Sequence, residues 1–586
     1  MPENAFDVDI SGLLRVFGGH LYSSPGVFVR ELVQNAHDAI LEARAAGKAA
    51  GTVVVRLDAA AGAIEFEDDG VGLDEEGIRL GLGRLGWSSK RREGRPAEVI
   101  GQFGIGLLSG FLVSETLTVT TQKQGGTPLV WRADRSGAYT VEPGKPAAVG
   151  TVVRLTLDDA HQTYRDPAVL RGLLERYTRY LPLEVYFEHA GARERVSVPA
   201  PWLSEDEDAW TSHLRSRGVR APLVFRLKTP HATGFAWIHE GRADMNGARV
   251  DVYHHGMLLE PGARELLPEW AGFVSAIVEA PRLAPTASRE TFVRDETFDA
   301  LRAELRGAVL QFLVDVAHAN DGRFGDLLHT HHLFLRGACV ESRELMVALG
   351  HRMPFDTNFG EMDLTTFREV AGDKGALRIV ETAQEFAHTA PLATAQGVGV
   401  INASYVHDTR FLQAFAELHG ASVVRMTRDE LSLLVQPAPD LMKVYEKVRR
   451  AAEPLLASMD VAVEVGRFEP SAVPAFLLTD ATQLRERAKA LITGSESPLV
   501  KSLLSGLSVA QGEKKTRFIL NGNNPLVQAL PGSSDPAATG HIVRLLYLQS
   551  AMMFRRTLSI AESRGFTEDL LSLLGKLLVP SGKDVN

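Results

Sequence analysis

The apolar residues of segment 28–43, FVRELVQNAHDAILEA, recur at the spacing of an α-helix. They lie three or four positions apart and would share one face against a core: Val29, Leu32, Val33, Ala36 and Ile40. Glu31, Asn35 and Asp38 line a second face of the same helix. The amide oxygen of Asn35 can hold a divalent cation, and the carboxylate of Glu31 can polarise a water beside it. The alternative is a half-buried helix whose polar groups are satisfied within the fold.

A short apolar strand and a glycine-rich turn follow in residues 62–73, GAIEFEDDGVGL. Glycines such as Gly70 and Gly72 let the backbone turn tightly and approach a ligand. Asp68, at the end of the strand, can accept a hydrogen bond from the exocyclic amine of an adenine. These residues predict one wall of a nucleotide site.

A second glycine-rich stretch, IGQFGIGLLSGFLV at residues 100–113, leads into an apolar helix-like run. Three glycines stand just before that run: Gly101, Gly104 and Gly106. Backbone amides in such a loop can cradle phosphates at the N-terminus of a helix. Farther on, Thr151 opens an apolar strand and offers a hydroxyl near the base-binding carboxylate. One glycine loop alone is a common turn, whereas these elements in this order predict an ATP site.

Beyond residue 200 the pattern alternates between strands and helices. Strand-like segments precede an amphipathic helix at 296–320, and residues 377–427 read strand, helix, strand, helix, strand. Two apolar helices, 539–563 and 568–578, close the sequence. Helices this apolar need a surface to pack on.

The composition narrows the class of protein. The 586 residues are 45% hydrophobic and 23% charged, which is typical of a globular protein of several domains. A net charge of −10 argues against a nucleic-acid platform. The lone Cys339 excludes an intrachain disulfide framework and is expected to be a small buried side chain. With no targeting segment and no apolar stretch of membrane-spanning length, we predict a cytoplasmic protein without membrane or nucleic-acid partners.

Histidine-rich spots at 254–255 and 329–332 invite comparison with metal sites. Neither has a second group of Cys, His or carboxylate ligands at a supportive spacing. We therefore expect surface histidines here.

The helix E-x-x-x-N-x-x-D, the strand D-x-G-x-G, the loop G-x-x-G-x-G and the Gly-Thr pair together resemble the ATP site of the GHKL superfamily. Within it, RELVQNAHDA and IGQFGIGLLSGFLV are most similar to the Hsp90 chaperone family, including the bacterial HtpG proteins. The resemblance implies an α+β multidomain protein. An N-terminal GHKL (Bergerat) α/β sandwich would occupy residues 1–200, an α/β middle domain 215–430, and a mainly helical C-terminal dimerisation domain 431–586.

The same resemblance implies the site residues. ATP and Mg²⁺ would be the cofactors, with Asn35 as the metal ligand and the nucleotide held by Asn35, Asp38, Asp68, Gly72, Gly101, Phe103, Gly104, Gly106, Leu107 and Thr151. Ser288-Arg289-Glu290 resembles the catalytic loop of the Hsp90 middle domain, which implies a role for Arg289 at the γ-phosphate beside the water-activating Glu31. A permanently charged guanidinium suits phosphoryl transfer. The alternative is that Ser288 caps a surface helix.

The function implied is that of a homodimeric ATPase that clamps unfolded or partly folded client proteins, a chaperone of the stress response, with other chaperones as further partners. One alternative is another GHKL ATPase, such as a DNA-repair clamp of the MutL type, which the acidic balance and the type of glycine loop disfavour. Another is a scaffold that holds ATP without hydrolysing it, which Glu31 and Arg289 disfavour.

Overall fold

The computed structural model describes the chain in twelve stretches, which are residues 22, 24–82, 106–145, 147–241, 248–319, 322–372, 375–395, 397–426, 435–459, 461–478, 516–553 and 558–578. The chain divides into two compact units, with the boundary between His331 and His332. Four β-sheets are described, two in each unit. The predicted contacts of Gly101, Phe103 and Gly104 lie outside the described residues.

The first sheet of the first unit has eight strands within residues 52–195. In chain order they are β1 Thr52–Asp58, β2 Ala63–Asp68, β3 Ser114–Gln122, β4 Leu129–Asp134, β5 Tyr139–Pro143, β6 Gly150–Leu157, β7 Glu184–His189 and β8 Ala192–Arg195. The strand order is β5-β4-β3-β6-β2-β1-β7-β8, and only β1 and β7 pair in parallel. Because side chains alternate along a strand, one face collects buried apolar residues while the other carries Arg56, Glu65 and Glu67.

Helices cover the apolar face of this sheet. They are α1 Val27–Ala45, α2 Glu75–Gly81 and α3 Pro167–Thr178, with 3-10 segments at Gly106–Leu112 and Asp159–Arg165. The predicted apolar face of α1 is buried, with Val29, Val33 and Ile40 at 0% exposure. The rings of Phe28 and Phe66 meet edge to face at 6.1 Å, which joins α1 to β2. Each such burial contributes about 1.5–3 kcal/mol.

The second sheet belongs to the same unit. Its strands are β9 Leu223–Lys228, β10 Thr233–Ile238, β11 Arg249–His254, β12 Met257–Ala263 and β13 Val274–Glu279, in the order β12-β11-β13-β10-β9. Helix α4 Glu207–Ser216 and 3-10 segments Pro201–Leu203 and Glu269–Ala271 flank it. Tyr180, Trp202 and Tyr253 pack together with ring centroids 4.9–5.1 Å apart, which ties this sheet to the first. Helices α5 Glu296–Ala319 and α6 Gly322–Glu341 follow, and α5 confirms the helix predicted from residue 296.

The third sheet lies in the second unit. Its elements are α7 Arg343–Leu349, the 3-10 segment Gly350–Arg352, β14 Pro354–Thr357, β15 Gly360–Asp363, α8 Leu364–Ala371, β16 Ala376–Val380, α9 Ala383–Ala395, β17 Ile401–Asn402, α10 Asp408–Leu418 and β18 Ser422–Arg425. The strand order is β15-β14-β17-β16-β18, with β16 parallel to both β17 and β18. This alternation confirms the strand and helix pattern predicted for residues 377–427.

The fourth sheet completes the second unit. Its elements are β19 Gln436–Pro437, α11 Pro439–Val444, α12 Glu446–Leu456, the 3-10 segment Ala457–Met459, β20 Val461–Arg467, β21 Ala475–Leu478, β22 Thr516–Asn521, α13 Pro525–Ala529, the 3-10 segment Leu530–Gly532, α14 Pro536–Met553 and α15 Ile560–Leu578. The strand order is β19-β20-β22-β21. Val543, Leu548 and Ala551 of α14 are 0% exposed. Helix α14 therefore forms part of the core of this sheet.

The final helices differ from the prediction. Helix α14 is described to Met553 instead of continuing to 563, and α15 begins at Ile560 instead of 568. The start of α15 has a local cause. The backbone N–H of Glu562 donates to Ser559 Oγ at 3.2 Å, and the N–H of Ser559 donates to Glu562 Oε2 at 2.8 Å. This reciprocal capping box satisfies the free amides of the first turn.

In the part of the chain that the structure describes, no helix combines the length and the apolar character that a membrane span requires. The four sheets occupy residues 52–195, 223–279, 354–425 and 436–521. The domain limits at 1–200, 215–430 and 431–586 stay a prediction.

Candidate nucleotide site

One row of side chains crosses four strands of the first sheet on the face that packs against α1. Asp68 lies opposite Val53 on one side and Thr151 on the other, and Thr151 lies opposite Thr121. The hydroxyls of Thr151 and Thr121 are 3.1 Å apart. Thr121 also accepts a hydrogen bond from the N–H of Leu73 at 2.8 Å. Thr151 is thus the cross-strand neighbour of Asp68 on the same face of the sheet.

Asp68 is buried, and its Oδ1 accepts a hydrogen bond from the N–H of Gly70 at 2.9 Å. Burial raises its pKa to about 7, against the lowering effect of the Gly70 hydrogen bond. A buried carboxylate holds a strong acceptor oxygen that a ligand amine can use.

Two positions near Asp68 require glycine. They are Gly72 in the turn that follows Asp68 and Gly150 at the start of the neighbouring strand β6. Gly72 has φ +64°, and a Cβ there would lie 2.1 Å from the carbonyl oxygen of Gln122. Gly150 has φ +144°, and a Cβ there would lie 2.0 Å from the carbonyl oxygen of Asp68. Larger residues would push β2, β3 and β6 apart at the end where Asp68 lies.

The polar row of α1 faces the end of the glycine loop. A Cβ on Gly106 would lie 3.2 Å from Glu31 Oε2 and 3.3 Å from Asn35 Oδ1, so both side chains reach this loop. Glu31 is buried, whereas Asn35 is partly exposed. Asp38 is buried and its Oδ1 lies 3.2 Å from Nδ1 of His37. Leu107 packs at the margin of the core.

Arg289 reaches the same site from a turn 258 residues away in the sequence. Its Nη1 donates to Glu31 Oε2 at 3.2 Å and also to Gln34 Oε1. Its side chain is buried, and its φ of +55° lies in the left-handed region that residues other than glycine seldom occupy. Backbone in such a conformation persists only when its surroundings hold it, and it is frequent at functional sites.

The alternative account of Ser288 as a helix cap is wrong. The N–H of Arg289 donates to the carbonyl of Thr286 at 3.0 Å, which closes a turn. The next helix, α5, begins only at Glu296. The turn is therefore a loop that presents Arg289.

Arg30 is a site residue that the sequence motifs do not predict. Its Nη1 donates to the carbonyl of Arg289 at 2.8 Å, and its Nη2 donates to the carbonyl of Ser288 at 2.6 Å. Its Nη2 also donates to Glu31 Oε1 at 2.8 Å. Arg30 thus holds the turn by its backbone and the carboxylate of Glu31 at once. An arginine directly before a candidate catalytic carboxylate was the available signal.

Histidines do not form a metal centre in the described residues, where no three His, Cys, Asp or Glu side chains come together as ligands. The prediction of surface histidines is wrong for His331, which is 2% exposed. Its Nε2 lies 3.0 Å from the carbonyl of His239. This position of α6 packs inward, against the ring of Phe273 at 5.0 Å.

The carboxylate of Glu31, the amide of Asn35 and the guanidinium of Arg289 come together at the end of the glycine loop. Asp68 and Thr151 lie in the sheet that α1 covers. Among the described side chains of this site, Asn35 has an amide oxygen that suits a Mg²⁺ ligand. A single amide oxygen is sufficient where the phosphates and waters supply the other ligands. Such a set can bind a purine nucleotide and orient a water toward its terminal phosphate.

Comparison with known proteins agrees with this geometry. Residues 22–154 match the family described as histidine kinase-, DNA gyrase B-, and HSP90-like ATPase. The chain is 26% identical to the chaperone protein HtpG of Chlorobium luteolum, over 55% of this chain and 57% of that protein. It is 23% identical to the mitochondrial heat shock protein 75 kDa of Bos taurus, over 58% of this chain and 53% of that protein. These two matches span little more than half the length of each relative.

A third match runs from end to end. The chain is 24% identical to the chaperone protein HtpG of Shewanella loihica, over 99% of both chains. The N-terminal match to the ATPase family and this full-length similarity together make the chain similar to the HtpG chaperones.

Proposed function

We propose that the protein is an ATP-driven chaperone of the Hsp90/HtpG type, which hydrolyses ATP to close a dimeric clamp on client proteins. The proposal rests on one observation, the contact of Arg289 with Glu31 beside Asn35 and Gly106. A carboxylate that can accept a proton from water and a guanidinium that can stabilise phosphate charge meet there from distant parts of the chain. Unfolded or partly folded proteins as clients, other chaperones as partners, a role in the stress response and a cytoplasmic location belong to the same proposal.

Each residue would have a distinct task in hydrolysis. Asp68 would accept a hydrogen bond from the adenine amine, with the Thr151 hydroxyl beside it. Glu31 would accept the proton of the attacking water at Oε2, the oxygen that faces Gly106. Arg289 would stabilise the negative charge of the γ-phosphate as it develops. Arg30, which bonds Glu31 and the turn of Arg289, would keep the two groups in register.

Mg²⁺ would be held by the amide oxygen of Asn35 together with the phosphates, and it would neutralise phosphate charge. Asp38, Gly72 and Leu107 remain proposed nucleotide contacts with Gly106. In the structure, Asp38 contacts His37 and Gly72 keeps its turn tight against β3.

A homodimer fits the surface of α15. Leu570, Leu571 and Leu574 share a face and are 41%, 63% and 41% exposed. The opposite side of α15 is fixed to α14, because buried Asp569 accepts two hydrogen bonds from Arg544 at 2.6 Å. The leucine face is thus open while the helix is held firmly, and we propose that it packs on a second copy of the chain.

Replacing Leu571 and Leu574 together by glutamate is expected to give a monomer that binds ATP within a few-fold of the wild type. The glutamate charges would have to be buried without partners when the leucine face of α15 packs on a second copy, which is strongly unfavourable. Sedimentation and nucleotide titration measure the two effects. Leu203→Glu is the matched control, since Leu203 is 76% exposed in the first unit and its replacement should leave a dimer. A double variant that sediments as a dimer at low concentration would place the interface elsewhere.

The function itself is tested with the full chain. ATP turnover is measured with and without a competitive inhibitor of the Hsp90 nucleotide pocket, and aggregation of a heated model protein is followed in parallel. Inhibitor-sensitive turnover together with suppressed aggregation is the expected result. Turnover stimulated by DNA, without any effect on aggregation, would instead favour the DNA-repair clamp.

A further inference from the structure

Gln34 is a buried amide in contact with the candidate catalytic arginine. It lies in α1 three residues after Glu31 and is 0% exposed. Its Oε1 accepts a hydrogen bond from the same Nη1 of Arg289 that donates to Glu31 Oε2. One N–H₂ group of Arg289 is therefore held between a neutral oxygen and a charged oxygen on neighbouring turns of one helix.

The contacts that Arg30 and the turn make with Arg289 act on its main chain. Arg30 holds the backbone carbonyls of Ser288 and Arg289, and the turn holds the N–H of Arg289. An arginine side chain has several rotatable bonds beyond Cα, and ordering them has an entropic cost. Glu31 restrains the guanidinium, but its Oε2 is also the oxygen proposed to take the proton of the attacking water. Gln34 restrains the guanidinium of Arg289 through an oxygen that takes no part in the chemistry.

The hydrogen bonding of Gln34 also argues against a purely structural role. Among the described residues its Nε2 has no hydrogen-bond partner. A buried amide that satisfies only one of its two ends contributes little to stability, and an apolar side chain of the same size would serve the core better. A glutamine is therefore best explained at this position by what its oxygen does for Arg289.

We infer that Gln34 is a positioning residue for Arg289, which it holds in the orientation required for ATP hydrolysis. The inference rests on the proposed function. It assigns to Gln34 no contact with the nucleotide, so ATP binding should not depend on it.

The test measures kcat, KM for ATP and thermal stability for Gln34→Met, which keeps the volume and removes the acceptor. We expect kcat to fall about tenfold, as for loss of a hydrogen bond to a charged group, with KM within about twofold of the wild type. The melting temperature should be unchanged or higher. Gln34→Glu retains an acceptor oxygen of the same reach and should recover most of the lost turnover.

Two further variants separate positioning from packing. In an Arg289→Met background, Gln34→Met should cause no further loss of turnover, because the group that it positions is gone. Gln162→Met is the matched control. Gln162 donates to the carbonyls of Leu157 and Asp158 at 3.2 and 2.7 Å, away from Arg289, so kcat should be unchanged.

The outcomes are distinct. A tenfold loss that persists in the Arg289→Met background, or a rise in KM with kcat unchanged, would overturn the inference about Gln34. Wild-type kcat in Gln34→Met would do the same while leaving the proposed function intact. Wild-type turnover in Arg289→Met alone would contradict the proposed role of Arg289 and with it the inference, whereas a wild type without inhibitor-sensitive turnover would contradict the proposed function itself.

Discussion

Glu31→Ala is expected to slow ATP turnover by at least about tenfold, and by as much as the roughly 10²–10⁴-fold that general-base catalysis supplies. Arg289→Ala is expected to slow it comparably. Both variants should bind ATP within a few-fold of the wild type, because the proposed adenine contact at Asp68 and the proposed metal contact at Asn35 are untouched. In the proposed mechanism, Glu31 acts on the water and Arg289 acts on charge that develops in the transition state. Their losses should therefore appear in kcat.

Nucleotide titration beside steady-state turnover measures both quantities for each variant. Arg294→Ala is the control for Arg289, since Arg294 lies five residues farther on, pairs with Glu265 at 2.6 Å and has a side chain 58% exposed. Its removal should leave kcat unchanged. A variant at Arg289 with wild-type turnover would show that the turn has no part in hydrolysis.

Asp68→Asn is expected to weaken ATP binding roughly ten- to a hundredfold while the fold stays intact. The buried carboxylate is the proposed acceptor for the adenine amine, and a hydrogen bond to a charged group is worth about 1.5–3 kcal/mol, or roughly ten- to a hundredfold in affinity. The fold should survive because an asparagine oxygen can still accept from the N–H of Gly70. Calorimetry measures the affinity, and Glu67→Gln, on the opposite face of the same strand, is the control. Near-native affinity in Asp68→Asn would remove Asp68 from the site.

The same residue should make ATP binding depend on pH. Its pKa of about 7 means that the carboxyl is partly protonated at neutral pH, and the protonated form is a poorer acceptor for an amine. Affinity should therefore fall as the pH is lowered through 7. Stability should change in the opposite direction. Because the folded protein holds this proton more tightly than the unfolded chain does, the contribution of Asp68 to the free energy of unfolding decreases as the pH rises from about 4 to about 7.

Local patterns predicted much of the fold. The apolar spacing of α1 and the alternation of strands and helices over 377–427 are properties of neighbouring residues, and both are found in the structure. The start of the last helix was misplaced because it depends on a capping box at Ser559 and Glu562, not on the apolar repeat. His331 was expected at the surface, yet its side of α6 is buried.

The candidate site was predictable only in part. Asp68 and Thr151 could be predicted as neighbours because each lies at one end of a strand that the sequence pattern identifies. The sheet places the two residues opposite one another. The contacts of Arg289 with Glu31 and Gln34 bridge more than 250 residues, so no local spacing encodes them. Arg30 and Gln34 were missed for the same reason, since their partners belong to another part of the chain.

The hydrogen bonds of Arg30 to the turn of Arg289 affect how the sequence can vary over evolution. Arg30 binds carbonyl oxygens of the main chain, which every residue type supplies equally. Substitutions at Ser288 that preserve the shape of the turn would keep this contact. We therefore expect Arg30 and Arg289 to be conserved. Neighbouring positions of the turn can change and acquire new contacts, because the hydrogen bonds between the turn and α1 do not depend on their side chains.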